Sequence, residues 1–228
     1  DDVGVFELRE NYGFPEHFLN LVQTHAHALE NLHGLPSEEA RAAGFEPKPK
    51  LKDSGVEWLG KVPEKWDIWK VTHGFIIIGS GTTPKSDDDS YYDGDIPWVT
   101  TSELRESIIN DTSTKITSKA LADYSTLVLY PPKTLLFAMY GATIGRLGIL
   151  GINATVNQAC AAFSGEKRLI TIFFYYWLQM RKQVLLAFSA GGGQPNLSQA
   201  DLRAIRVPCP ILEEQRAIAS YLDRETAK

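Results

Sequence analysis

The feature that most limits how this chain can fold is a series of short apolar runs between residues 51 and 165, rich in β-branched and aromatic residues. Clusters of Gly, Pro and Asp at residues 79–95 and 141–153 separate these runs. Apolar runs of this length, bounded by turn residues, predict β-strands. The predicted strands cover residues 75–78, 96–99, 135–139 and 149–150.

Helical patterns follow the strands. Residues 168–188 are apolar and aromatic without strict alternation, which indicates a buried helix. Asn196, Leu197 and Ser198 then cap a predicted helix at 199–203, and residues 205–207 form a last strand. Strands and helices in this order predict a mixed α/β fold of the α+β type.

The composition changes near residue 50. Residues 15–33 and 37–43 have the apolar spacing and end signals of helices, and 46–50 reads as a stiff Pro-Lys linker. We therefore predict a helical extension and linker at 1–50, a single domain at 51–210, and the start of a coiled-coil helix at 211–228. Spacings of three and four residues place five side chains on one seam of that last helix. The seam consists of Leu212, Gln215, Ile218, Ala219 and Leu222. It predicts a partner or dimer surface, with a helix folded back on its own domain as the alternative.

The charge is unevenly distributed. The net charge of −5 argues against a strong autonomous nucleic-acid binder, but residues 1–50 alone hold nine acidic and four basic residues. Residues 111–212 hold four acidic and ten basic residues, a local charge of +6. Such a segment suits a surface that faces DNA, and scattered solvated charge is the alternative.

Compartment and chemistry follow from what the motifs lack. Two distant cysteines, Cys160 and Cys209, do not form a disulfide framework, so we expect a reduced, cytoplasmic protein. No apolar stretch approaches the ~20 residues of a membrane-spanning helix, so we expect no membrane span. Residues 79–86 resemble a phosphate-binding loop, but Pro84 stands where Gly is needed and has no N–H to donate. Residues 130–133, Tyr-Pro-Pro-Lys, lack the Asn and the aromatic residue of the loop used by DNA amino-methyltransferases. With four of the five histidines on one predicted helix and no ligand set around them, we expect no metal site and no catalytic centre.

Seven motifs in order carry a family resemblance. They lie at residues 52–66 (KDSGVEWLGKVPEKW), 81–85 (GTTPK), 96–101 (IPWVTT), 138–145 (AMYGATIG), 157–160 (NQAC), 193–198 (GQPNLS) and 213–219 (EEQRAIA). Together they resemble the specificity subunits of type I restriction–modification systems. The resemblance implies a non-catalytic subunit that reads double-stranded DNA, with two recognition domains joined by two long helices and each domain reading half of a split site.

The same resemblance implies the partners. Methylation subunits would carry S-adenosylmethionine and a restriction subunit would use ATP and Mg²⁺, so that no cofactor is expected on this chain. Residues 51–210 would be one recognition domain. From the seam of the last helix we hypothesise a homodimer through 211–228, which would imitate the two-domain subunit. A self-contained DNA-modifying enzyme and a docking module without DNA contact are the alternatives.

Reading DNA needs amide, hydroxyl and guanidinium groups for base edges and cations for phosphates. The candidate DNA-binding residues are Lys85, Thr100, Thr101, Lys115, Lys119, Lys133, Tyr140, Thr143, Arg146, Asn157, Gln158, Gln194, Asn196 and Ser198. Some have structural alternatives: Asn157 and Gln158 as partners of buried backbone groups, and residues 194–198 as a helix cap. Trp58, Trp66 and Trp98 favour the core over base stacking.

Overall fold

The computed structural model describes residues 50–56, 59–189 and 196–226. The strands are β1 (Leu51–Asp53), β2 (Lys61–Pro63), β3 (Asp67–Lys70), β4 (Phe75–Gly79), β5 (Tyr92–Val99), β6 (Ser107–Ile109), β7 (Lys115–Ile116), β8 (Leu135–Ala138), β9 (Leu147–Leu150), β10 (Thr155–Val156), β11 (Cys160–Glu166) and β12 (Arg206–Cys209). The α-helices are α1 (Ser118–Asp123), α2 (Thr171–Ser189), α3 (Gln199–Ala204) and α4 (Leu212–Thr226). Short 3₁₀ turns lie at Val71–His73, Asp89–Tyr91 and Thr101–Glu103.

A five-stranded sheet in the order β4-β11-β8-β9-β6 forms the centre of the domain. Its pairs are antiparallel except for β6 with β9. Successive residues of a strand point to opposite faces, and both faces of β8 are buried. Leu135 and Phe137 pack in the cluster with α2, whereas Leu136 and Ala138 pack in a second cluster on the other face.

A smaller sheet in the order β10-β5-β7 covers that second face. Val99 and Val156 pack toward the large sheet. Trp98, the neighbour of Val99, points the other way and packs with Ile116 of β7 and Ala120 of α1. The domain is therefore layered, with α2 and α4, the large sheet, the small sheet and α1 in succession.

The C-terminal helix α4 packs on α2, and this corrects the view of its seam as an unsatisfied surface. Ile218, Ala219 and Leu222 are buried in the same cluster as α2, Leu212 is partly buried against it, and Gln215 is fully buried. The seam consequently covers the domain's own core. Of the two alternatives for these five residues, the packing favours a helix folded back on its domain.

The mixed α+β class is confirmed. The predicted strands at 75–78, 96–99 and 149–150 lie within β4, β5 and β9. The one at 135–139 extends one residue beyond β8, and the one at 205–207 overlaps β12. The predicted helices at 168–188 and 199–203 correspond to α2 and α3. The strand β11, which pairs with both β4 and β8, was missed, because its run Cys-Ala-Ala has weak strand preference. The predicted helices at 15–33 and 37–43 lie outside the described residues. Among the helices that the structure describes, none is long and apolar enough to cross a membrane.

Candidate nucleic-acid interface

Two neighbouring parallel strands bring two candidate loops to one edge of the domain. β5 and β10 run side by side, with Trp98 opposite Thr155 and Val99 opposite Val156. The segments that follow both strands therefore start at the same edge. The backbone N–H of Asn157 donates to the carbonyl of Val99 over 2.9 Å, which joins loop 157–158 to loop 100–101.

The segment after β4 joins the same edge. The N–H of Gly81 donates to the carbonyl of Asn157 over 3.3 Å. A Cβ at Gly81 would lie 1.7 Å from the carbonyl oxygen of Val156, so that only glycine allows this approach. Beyond it, Thr83 Oγ1 donates to Gln158 Oε1 over 2.6 Å and holds the exposed amide of Gln158 in place.

The segment after β8 completes the arrangement. The N–H of Met139 donates to the carbonyl of Ala159 over 2.9 Å, and the N–H of Leu197 donates to the carbonyl of Met139 over the same distance. Tyr140 forms an antiparallel bridge with Asn196. The segments after these four strands, together with the segment before α3, thus present hydroxyl and amide side chains at one edge. We call Thr83, Thr100, Tyr140, Gln158 and Asn196 the polar tip.

Several candidates at this edge have structural roles. Asn157 Oδ1 accepts the N–H of Ala159 over 3.2 Å, as its structural alternative predicted. Ser198 caps α3, because its Oγ accepts the N–H of Asp201 over 3.1 Å and the Asp201 carboxylate accepts the Ser198 N–H. Thr101 is half-buried in a 3₁₀ turn. Gln194 lies outside the described residues.

Glu103 fixes the shape of loop 100–103. Its Oε2 accepts the N–H of Thr100 over 2.9 Å, and its Oε1 accepts the N–H of Ser113 over 2.7 Å. Thr100 Oγ1 lies 2.7 Å from Ser102 Oγ. The carboxylate thereby ties the loop after β5 to the loop before β7. Neither Glu103 nor Thr83 was among the predicted site residues, although Thr83 lies in the motif Gly-Thr-Thr-Pro-Lys directly after a predicted strand.

Lys85 and Arg146, two candidates for phosphate contact, have exposed side chains on segments next to the polar tip. Lys85 follows Thr83 by two residues, and its backbone N–H donates to the Tyr124 hydroxyl over 3.1 Å. Arg146 ends the turn between β8 and β9, where its N–H donates to the carbonyl of the half-buried Thr143 over 3.0 Å. Both cations therefore lie on segments that lead to or from the polar tip.

Lys119 and Lys115 have acidic neighbours. Lys119 Nζ lies 2.8 Å from Asp123 and 3.9 Å from the centre of the Tyr91 ring. The hydrogen bond to Asp123 raises the pKa of Lys119. Lys115 Nζ lies 3.4 Å from Asp111. The acidic partners of both lysines offset part of the positive field that a phosphate would meet.

Lys133 lies elsewhere. It precedes β8, whereas the polar tip follows β8, so the length of the strand separates them. Its N–H donates to the carbonyl of Leu150, and its own carbonyl accepts the Thr171 hydroxyl over 3.1 Å. The structure therefore brings most of the candidates together but places Lys133 at the opposite end of the sheet.

The tryptophans described belong to the core. Trp66 and Trp98 are buried, as expected for residues that favour packing over base stacking. Trp98 Nε1 also donates to the carbonyl of Thr82 over 3.1 Å, which anchors the segment leading to Thr83. Trp58 lies outside the described residues.

The two cysteines are buried free thiols. Burial raises the pKa of Cys160 to about 12 and that of Cys209 to about 11, so both remain thiols at neutral pH. No group of three or more His, Cys, Asp or Glu in the described part of the chain is placed to hold a metal ion.

Comparison with known proteins assigns the family. The model of the type I restriction modification DNA specificity domain matches residues 63–227. The chain belongs to this family. It is thereby placed with the specificity subunits of a multisubunit restriction–modification enzyme, which are non-catalytic.

Relatives of this specificity domain are longer than the chain. It is 30% identical over 169 residues to the type I restriction enzyme MjaIX specificity subunit of Methanocaldococcus jannaschii, covering 72% of this chain and 38% of the relative. It is 23% identical over 181 residues to the EcoR124I/EcoR124II specificity subunit of Escherichia coli, covering 76% and 42%. The chain thus spans about two fifths of these relatives.

Solved structures show the same fold. The HsdS subunit from Thermoanaerobacter tengcongensis matches with a TM-score of 0.58 and 16% identity, over 92% of this chain and 50% of that one. A chain from a structure on assembly and conformational transition of the type I R-M system matches with a TM-score of 0.60 and 19% identity, over 93% and 48%.

Proposed function

We propose that this specificity chain recognises double-stranded DNA by its sequence and that the polar tip faces the base edges. The observation that carries the proposal is the meeting of five separate segments at one edge, each contributing a hydroxyl or amide side chain. Such groups discriminate base pairs in the major groove, where each pair offers its own pattern of donors and acceptors. Because the Thr83 hydroxyl holds Gln158, that amide is oriented before DNA arrives.

Lys85 and Arg146 would contact phosphates beside the tip. Phosphate contacts position a protein on the duplex without reading its sequence. Lys115 and Lys119 would contribute less, since Asp111 and Asp123 lie within 3.4 Å and 2.8 Å of them. Lys133, at the other end of the sheet, would contribute nothing to this contact.

One recognition domain would read one half of a split site. The chain covers 38% and 42% of the two relatives above, which accords with one domain of a subunit that contains two. A second recognition domain would read the other half of the site. Because the α4 seam is buried, a homodimer through α4 would have to use its exposed face, which includes Glu213, Arg216 and Ser220.

The chain would direct methylation and cleavage by partner subunits. Methylation subunits would bind S-adenosylmethionine, and a restriction subunit would use ATP and Mg²⁺. Family membership and the non-catalytic character of specificity subunits support this division of roles. A cytoplasmic location follows as part of the same proposal.

Salt dependence of DNA binding tests the assignment of the contacts. The target site is first obtained by co-expressing the chain with a type I methylation subunit and mapping methylated adenines. We expect the double variant Lys85→Ala, Arg146→Ala to bind DNA with a weaker salt dependence. The negative slope of log K against log salt should become smaller in magnitude by about 0.9 per lost phosphate contact. Lys133→Ala is the matched control and should leave the slope unchanged.

Gln158→Ala tests base recognition separately. It should weaken binding to the target by about 1–3 kcal/mol while binding to unrelated duplex changes little. Equal losses on both duplexes would show that Gln158 reads no base. A complex with the methylation subunit that assembles normally while every variant binds DNA like the wild type would favour a docking module instead.

A further inference from the structure

A cavity of about 300 Å³ lies between the β1–β2 hairpin, α2 and α4. None of its lining residues belongs to the polar tip. The walls are mainly apolar and include Leu59, Val62, Trp66, Phe173, Met180 and Ile218. Lys61 of the hairpin and Arg181 of α2 also line it. The cavity therefore suits an apolar group that carries a negative charge.

Arg181 is the residue that gives the cavity a preference for a negatively charged group. Its Nε is buried and has no hydrogen-bond partner among the residues that the structure describes. Burial without a compensating partner also lowers the pKa of its guanidinium group. A buried donor that lacks an acceptor is unfavourable, and a carboxylate is the acceptor that guanidinium binds best.

We propose that this cavity receives the segment 15–33 of the same chain, with a carboxylate of that segment meeting Arg181. The sequence predicts this segment as a helix with Phe18, Leu21, Val22, Leu29 and Leu32 on one side. Glu30 borders that apolar side. The nine acidic and four basic residues of 1–50 complement the two cations of the cavity.

The attachment point favours the chain's own segment over a separate partner. Leu51 lines the cavity and is 55% exposed, so the N-terminal residues join the domain at the cavity rim. The sixteen residues 34–49 that join the segment to the domain span up to roughly 50 Å when extended, enough to turn back. A tether of this length gives an effective concentration of about the millimolar range, which a partner in solution lacks.

Cutting the tether of the full chain tests the proposal. A protease recognition sequence is inserted between Pro47 and Lys48, and the cleaved protein is analysed by size exclusion and native mass spectrometry at micromolar concentration. We expect residues 1–47 to remain bound to the domain at 1:1. Met180→Glu, which adds a charge to the cavity wall, should raise the dissociation constant about tenfold or more.

Matched changes control for charge alone. Gln183→Glu adds the same charge to an exposed position of α2 outside the cavity and should leave retention unchanged. On the segment, Leu29→Asp should release it, whereas Asn31→Asp, on the other side of the predicted helix, should not.

The proposal would be overturned if the protein with its natural Met180 released residues 1–47 on cleavage while the unfolding midpoint of the domain stayed unchanged. A complex found only as 2:2 would assign the cavity to a second copy and overturn it as well. DNA affinity measured on the same samples separates this inference from the proposed function, because either can fail while the other holds.

Discussion

Replacing Gln215 by leucine tests how α4 is held on the domain. Gln215 is fully buried, at 0% exposure. Its Oε1 accepts the N–H of Ile170 over 2.9 Å, and its Nε2 donates to the carbonyls of Arg168 and Pro210, each over 2.8 Å. Nε2 also lies 3.6 Å from Cys209 Sγ. Leucine fills a similar volume without polar atoms, so Gln215→Leu removes these hydrogen bonds and leaves little empty space.

The cost follows from the groups left without a partner. The Arg168 carbonyl keeps the Cys209 thiol as a donor over 3.0 Å. The Ile170 N–H and the Pro210 carbonyl lose their hydrogen bond to Gln215. Each unsatisfied buried group costs about 1–3 kcal/mol, and the apolar leucine offsets a part. We expect a loss of about 3 kcal/mol in the free energy of unfolding. For a chain of this size the midpoint should fall by about 6 to 12 °C.

Thermal and urea unfolding followed by circular dichroism measure this loss. Gln183→Leu is the matched control, because it makes the same change at an exposed position of α2 and should stay within about 0.5 kcal/mol of the wild type. A Gln215→Leu variant as stable as the wild type would refute the reasoning. It would mean that these hydrogen bonds only offset the free-energy cost of removing the glutamine side chain from water.

Three further predictions concern the interface and its support. Gly81→Ala should destabilise the domain by about 1–3 kcal/mol in urea unfolding and weaken DNA binding, because its Cβ would meet the carbonyl of Val156 at 1.7 Å. Hydrogen bonds from Lys119 and Tyr91 lower the pKa of Asp123 below 3.8. The stabilisation they give should therefore be present above about pH 4 and lost as the pH falls through the folded pKa, and Asp123→Asn should lose this pH dependence in acid titrations of stability. Burial raises the pKa of Cys160 to about 12, so alkylation at neutral pH, measured by mass spectrometry, should be slow in the folded protein and rapid after denaturation.

Much of the fold was predictable where local pattern and packing agree. Residues 135–138 form a run of apolar residues that is buried on both faces of the sheet. Residues 171–189 form a helix with apolar residues on nearly every side. Both elements could therefore be identified from their runs of apolar residues. The strand at 160–166 was not, since its alanines have little strand preference and it is held by pairing with β4 and β8. Pairing of this kind joins residues far apart in the chain and leaves no local signal.

The candidate interface shows the same limit. Residue types predicted that Gln158 and Asn196 could face DNA, but the pairing that orients them was not visible. Thr83 lies 75 residues from Gln158 along the chain, and their hydrogen bond depends on the path of the segment after β4. Lys133 and Lys85 carry the same charge. Only their places in the fold, before β8 and after β4, put Lys85 beside the polar tip and Lys133 far from it.

By itself the sequence determined the class of the fold, the family and the kinds of side chain available for reading DNA, because these depend on composition, local periodicity and short motifs. The tertiary structure alone decided which of those side chains meet. The parallel register of β5 and β10 places residues 100 and 157 at one edge, and the apolar surface of α2 buries the seam of α4. Both outcomes depend on the surface that a distant element presents, and one segment's own pattern does not contain that information.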